Sequence, residues 1–196
     1  MPNQRLLMRK IIIALDGYSG TGKSSTARRV SEQLGYTYID SGAMYRAVTF
    51  HFLAHHIELN DAHQVAGELD NIFIEFRGGN VVLNGKVVDL EIRSMVVNQN
   101  VSQVAALSSV RSKLVEMQRK LGAGKGVVMD GRDIGTVVFP EAELKLFMTA
   151  EMDIRVERRR LQLLKKGINE SFELSLRKES FIQDQQNGML FDCLGT

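Results

Sequence analysis

The chain has 196 residues, with 25 Lys and Arg against 23 Asp and Glu for a net charge of +2; 44% of its residues are apolar and 24% are charged. This balance excludes disordered, collagen-like and coiled-coil chains, and it leaves no electrostatic footprint for nucleic acid. The only cysteine, Cys193, cannot close an internal disulfide, and the apolar run from Ile11 to Leu15 is too short for a membrane span or a signal segment, so a reducing cytoplasm is expected.

In chain order, Ile11 to Leu15 is a continuous apolar run ending at Asp16-Gly17, the pattern of a strand buried on both faces of a parallel sheet. A glycine-rich turn follows. Ala27, Val30 and Leu34 then repeat at i, i+3 and i+7 before Gly35, which predicts a helix and its stop. Tyr36 to Ile39 predicts a second short strand, and Ser41 opens a helix with Met44, Val48 and Phe52 on one face. Alternation at Ile72, Ile74 and Phe76, with turn signals at Gly78-Gly79-Asn80 and Asn84-Gly85, predicts a small antiparallel insert over 72–88. The pattern is helical from about Ile92 to Leu121; Gly126–Asp130 and Leu144–Met148 read as two further buried strands, and Met152–Lys166 as a basic helix ending at Gly167. The fold class expected is α/β, an open parallel sheet flanked by helices with ligands at the carboxyl ends of its strands.

Gly17-Tyr18-Ser19-Gly20-Thr21-Gly22-Lys23-Ser24 matches GxxxxGK[S/T] between a predicted strand and a predicted helix, the context that a phosphate-binding P-loop requires. Glycines let successive amides converge on phosphate oxygens, and the helix N-terminus adds partial positive charge. Lys23 adds a full charge, and the Ser24 hydroxyl is a candidate ligand for the Mg²⁺ that travels with ATP. Tyr18, Ser19, Thr21 and Ser25 belong to the same nucleotide cradle.

Asp130-Gly131-Arg132-Asp133 follows the third buried strand and is expected at the same sheet edge as the P-loop. Asp130 is placed to hold Mg²⁺ through water and Arg132 to fork onto a phosphate. The same residues also read as an ordinary turn in which Asp133 pairs with Arg132. Asp40-Ser41-Gly42-Ala43-Met44-Tyr45-Arg46 puts Ser41 at a helix start, with Arg46 about a turn further on, which equally describes an N-cap and a surface arginine.

Together these segments, with Val101-Ser102-Gln103-Val104-Ala105, Val110-Arg111 and the continuation Ile134-Gly135-Thr136-Val137-Val138-Phe139-Pro140, resemble the bacterial cytidylate kinases over Ile11 to about Leu176. The resemblance implies a P-loop kinase fold over 1–196, with a CMP-binding subdomain inserted at 60–100, a partial lid at 155–180 and an atypical tail at 180–196. It also implies transfer of a phosphoryl group from ATP to CMP or dCMP, giving CDP or dCDP in pyrimidine nucleotide metabolism, by a cytoplasmic, monomeric enzyme with Mg²⁺ as cofactor. ATP would be held by Gly17, Tyr18, Ser19, Gly20, Thr21, Gly22, Lys23, Ser24 and Ser25. Ser41, Ser102, Arg111 and Asp133 would engage the cytosine or its sugar, Arg46 and Arg132 the CMP phosphate, and Asp130 would lie beside the sugar. Lys23, Arg132 and Asp130 would carry catalysis. Arg155 and Arg159, which share a helix face with Arg158, are candidates for the ATP phosphates, and a solvated basic face fits them as well. Apart from any family, cytosine presents a donor amine beside two acceptors, so an acid with Ser or Arg donors selects it over uracil.

The family's RDxxDxxR lid motif and Pro-Leu step have no counterpart, and no arginine follows Arg177. A truncated or frame-shifted end beginning near Ser180, with impaired turnover, is therefore expected. His51, His55 and His56 lack any HExxH spacing and read as structural or surface residues. Two alternatives to CMP phosphorylation stay open at this point: a P-loop kinase for another small acceptor, and a nucleotide-binding remnant without turnover.

Overall fold

The computed structural model describes residues 9–165, 167, 169, 171–177 and 180, so the tail beyond Ser180, with Cys193, lies outside the described residues. The chain divides into two compact units, one ending at Tyr38 and resuming at Lys125, the other spanning Ile39–Gly124.

The first unit is built on β1 (Ile12–Gly17), whose residues from Ile13 onward are all buried. Parallel neighbours flank β1 on both sides, and this removes the polar face that would break its apolar run. The four-stranded sheet has the order β2-β6-β1-β7, with β2 at Thr37–Asp40, β6 at Val127–Gly131 and β7 at Leu144–Met148. Helix α1 (Lys23–Leu34) covers it, placing Ala27 in a cluster with Ile13, Leu15 and Val128. It stops at Gly35, whose φ of 66° suits a residue without Cβ. Leu34, expected on the buried face, is 42% exposed. Strand β7 departs further from expectation. It was read as buried, yet Leu144, Leu146 and Phe147 are exposed, because among the described residues β7 is an edge strand paired with β1 alone. Helix α6 (Met152–Leu164) follows it.

The second unit centres on α2 (Ser41–Ala54), where Ala43, Met44, Ala47, Val48 and Phe52 are all buried. The apolar stripe expected at Met44, Val48 and Phe52 is thus widened, since α2 sits among several neighbouring elements and has little solvated face. The cap of α2 also differs: Asp40, not Ser41, takes the N-cap, its side chain accepting from Ala43 N at 2.8 Å. Helix α3 (Ala62–Leu69) precedes an antiparallel sheet of β3 (Ile74–Arg77), β4 (Asn80–Leu83) and β5 (Lys86–Val87). Both connecting turns have left-handed backbones at each central residue, Gly78-Gly79 and Asn84-Gly85, as two-residue hairpins require. The long helical stretch is interrupted: a 3₁₀ turn at Glu91–Arg93 leads to α4 (Met95–Ala106), and Leu107 in extended conformation separates it from α5 (Ser108–Gly122). Ser94 caps α4 through its side chain. The unit runs from α2 to α5.

Candidate functional site

The first unit carries the P-loop between β1 and α1. Gly17, with φ at 143°, closes so tightly on β7 that a Cβ there would fall 2.1 Å from the Met148 carbonyl oxygen. Gly20 passes against Arg155, where a Cβ would lie 3.1 Å from the arginine's own Cβ. Gly22, in left-handed conformation, is the N-cap of α1; it offers no side-chain acceptor, and the first turn carries no acid. The positive end of the α1 dipole therefore opens at this loop, a place where an anion is stabilised. Tyr18 O organises the loop, accepting from Lys23 Nζ at 2.8 Å and from Thr21 Oγ1 at 2.9 Å.

Asp130, at the end of β6 and 4% exposed, meets this loop. Ser24 Oγ donates to its Oδ2 at 2.7 Å, and Tyr38 Oη donates to its Oδ1 at 2.8 Å. A hydroxyl and a carboxylate so placed are hard oxygen donors suited to Mg²⁺, and the residues fit that ion. Asp130, which the resemblance implies lies beside the sugar, is in contact with the P-loop serine and with Tyr38. Ser25 follows Ser24 in the first turn of α1, and Ser19 O accepts from Arg155 Nη1 at 3.4 Å.

Arg155 is buried, lies over the Tyr18 ring with its guanidinium carbon 5.2 Å from the centroid, and reaches the loop through Ser19 O. A second arginine of α6 reaches the same loop. Arg158, not Arg159, donates to Gly20 O at 3.2 Å and to Thr21 O at 3.0 Å, while Arg159 is exposed. The i, i+3 row from Arg155 was visible in the sequence; the rotation of α6 that favours it over the i+4 row was not.

Sequence reasoning missed Asp16, the residue immediately before the P-loop. Its carboxylate accepts from Ile134 N through Oδ1 and from Gly135 N through Oδ2, each at 2.8 Å. Burial pushes its pKa up, partly opposed by these two bonds, and Asp133 and Lys23 both act on it electrostatically, in opposite senses. Lys23 and Asp133 are therefore both within electrostatic reach of one buried acid. The signal in the sequence is an acid closing a buried strand. Beyond Asp133, Ile134–Val138 forms a turn of π-helix, in which Val138 N and Phe139 N each bond five residues back. Arg132 is exposed and Asp133 half-buried ahead of it.

The second unit holds the remaining candidates. Arg46 Nη2 donates to Asp40 Oδ2 at 3.0 Å, so the N-cap acid of α2 also orients the arginine one turn on. Ser41 is buried beside that cap. Ser102 is exposed on α4, and Arg111 is half-buried in the first turn of α5.

The sequence model of the cytidylate kinase family matches residues 13–186. The chain belongs to the cytidylate kinase family. It is 49% identical over 165 residues to a cytidylate kinase of Cytophaga hutchinsonii, covering 81% of this chain and 70% of the relative. The protein of that name from Alkaliphilus oremlandii is 48% identical over 161 residues, covering 82% and 74%. The one from Pelodictyon phaeoclathratiforme is 50% identical over 163 residues, covering 81% and 70%. The family match runs past Leu176, where the resemblance was read as stopping, and past Ser180, where a displaced reading frame was expected to begin. Among the described residues no helix is long and apolar enough to cross a membrane.

Proposed function

We propose that this chain transfers the terminal phosphoryl group of ATP to CMP or dCMP, giving CDP or dCDP. The observation that carries the reading is the juxtaposition of the P-loop serine with the acid of β6, Ser24 Oγ on Asp130 Oδ2 at 2.7 Å, in a member of this family. ATP lies along the amides of Gly20 to Ser24, with Lys23 moving from the Tyr18 carbonyl onto the phosphates. Ser24 and Asp130 would hold Mg²⁺, which would supply neutralisation of phosphate charge. Tyr38 keeps Asp130 oriented for that task, and Arg155 and Arg158 brace the loop from its backbone carbonyls.

Transfer between two polyanions demands positioning and charge neutralisation rather than a covalent intermediate. Arg132 and Arg46 are assigned to the CMP phosphate, and Asp133, Ser41, Ser102 and Arg111 to the base and sugar. Asp133 accepts from the exocyclic amine of cytosine; uracil presents a carbonyl there and leaves the acid opposed by an acceptor. The enzyme is proposed to act in the cytoplasm as a monomer.

Release of ADP, measured with CMP, dCMP, UMP and AMP as acceptors, tests this. CMP or dCMP is expected to be preferred over UMP, and Asp133→Asn to narrow that preference by roughly 5- to 150-fold, the equivalent of about 1–3 kcal/mol. Equal turnover of all four acceptors would transfer the reading to another acceptor; nucleotide binding with no ADP release from CMP would make the chain a remnant.

A further inference from the structure

We infer that His51, His55 and Glu68, all in the second unit, form a binding site for a divalent transition metal of the Zn²⁺ class. The sequence reading had treated the histidines as structural, because spacing along the chain contains no metal motif. The fold brings in a third donor from another helix: ligand atoms of His51 and His55, one turn apart at the end of α2, and of Glu68 on α3 lie within 4.8 Å of one another.

The surrounding bonds prepare these groups as ligands. His55 Nδ1 faces the His51 carbonyl oxygen at 2.8 Å. That partner only accepts, so Nδ1 carries the proton and Nε2 carries the lone pair. A histidine that ligates through one nitrogen while donating to a backbone carbonyl through the other is the usual metal-site arrangement. Glu68 Oε1 lies 2.6 Å from His51 Nε2, so the carboxylate of α3 is aimed at the histidine pair. His51 is 5% exposed and fixed in the helix, while His55 is exposed and leaves an entry path from solvent.

Two imidazoles, one carboxylate and an open fourth position suit Zn²⁺, whose bonds of about 2.0–2.2 Å put tetrahedral donors about 3.3 Å apart. His51 Nε2 and Glu68 Oε1, at 2.6 Å across a shared proton, separate to admit the ion, and the exposed His55 ring swings inward. To ligate through Nε2 the His51 ring must carry its proton on Nδ1, so the hydrogen bond to Glu68 is exchanged for two bonds to the ion. The ion would join the end of α2 to α3.

The test uses the whole chain, free of nucleotide and Mg²⁺, titrated with Zn²⁺ by calorimetry and with Co²⁺ by visible absorption. One equivalent of Zn²⁺, intense four-coordinate Co²⁺ bands and a Zn²⁺-dependent rise in Tm are expected. His55→Ala and Glu68→Gln should each weaken Zn²⁺ binding by more than about 100-fold, since loss of an outer-shell partner alone weakens metal sites by about 10- to 100-fold. Ser24→Ala should leave this binding unchanged, which separates it from a metal held at the P-loop. Circular dichroism of His55→Ala, altered at an exposed position, verifies that the variant is folded. No stoichiometric binding, equal binding by wild type and His55→Ala, or loss of binding in Ser24→Ala would each overturn the inference.

Discussion

Asp16 holds two consecutive amides beyond Asp133 on one carboxylate, and burial raises its pKa. An asparagine keeps one of these bonds but turns an amide donor toward the other N–H, leaving a buried donor unsatisfied at a cost of about 1–3 kcal/mol. Asp16→Asn is therefore expected to lower Tm and, by loosening the turn that carries Arg132 and Asp133, to raise KM for CMP several-fold. Steady-state kinetics with each substrate varied in turn checks this; an unchanged KM would make Asp16 a purely structural acid. The sign of its titration is also determined. A raised folded-state pKa means that Asp16 favours the native state most at low pH, and this contribution is lost as pH rises from the ordinary aspartate value through the folded one.

Among the elements, the sheet is tied at its base by Glu143, which accepts from Ile12 N at the start of β1 and pairs with Lys125, just ahead of β6. These partners, the Ile12 amide foremost, hold its pKa down to about 2 from the ordinary 4.5. Here the sign is opposite: the contribution is full above about pH 4.5 and is lost as pH falls toward 2. Thermal melts across that range should show Glu143→Gln with a shallower acid dependence than wild type; parallel curves would remove Glu143 from the account. The N-terminus of α1 makes a second element-scale case. A helix start with no side-chain cap and no acid in its first turn is poorly satisfied by itself and gains from an anion.

For the molecule as a whole, that gain appears as ligand-linked stability. MgATP at about 100 times its Kd should add about 2.7 kcal/mol to unfolding, seen as a Tm rise of several degrees, and Lys23→Met should remove most of the rise. A full rise in that variant would place nucleotide elsewhere. How far such behaviour could be foreseen from the chain depends on distance along it. The P-loop, the strand before it, the helix after it and both hairpin turns were legible, since contiguous residues and local backbone geometry dictate them. The break at Leu107 was not, because the residues on either side are all helix-compatible and no glycine or proline marks it. The exposure of β7 was not, because an apolar run reports the capacity to be buried and not the presence of a neighbour. Sequence alone determined the strand, glycine-rich loop and helix over which Gly17 to Ser24 run, since eight adjacent residues carry that pattern. Tertiary structure decided that Asp130 meets Ser24 across 106 positions, that Asp16 holds the turn after Asp133 across 118, and that Arg158 rather than Arg159 braces the loop. Such pairings depend on strand register and helix rotation, which arise only when the whole apolar core packs at once.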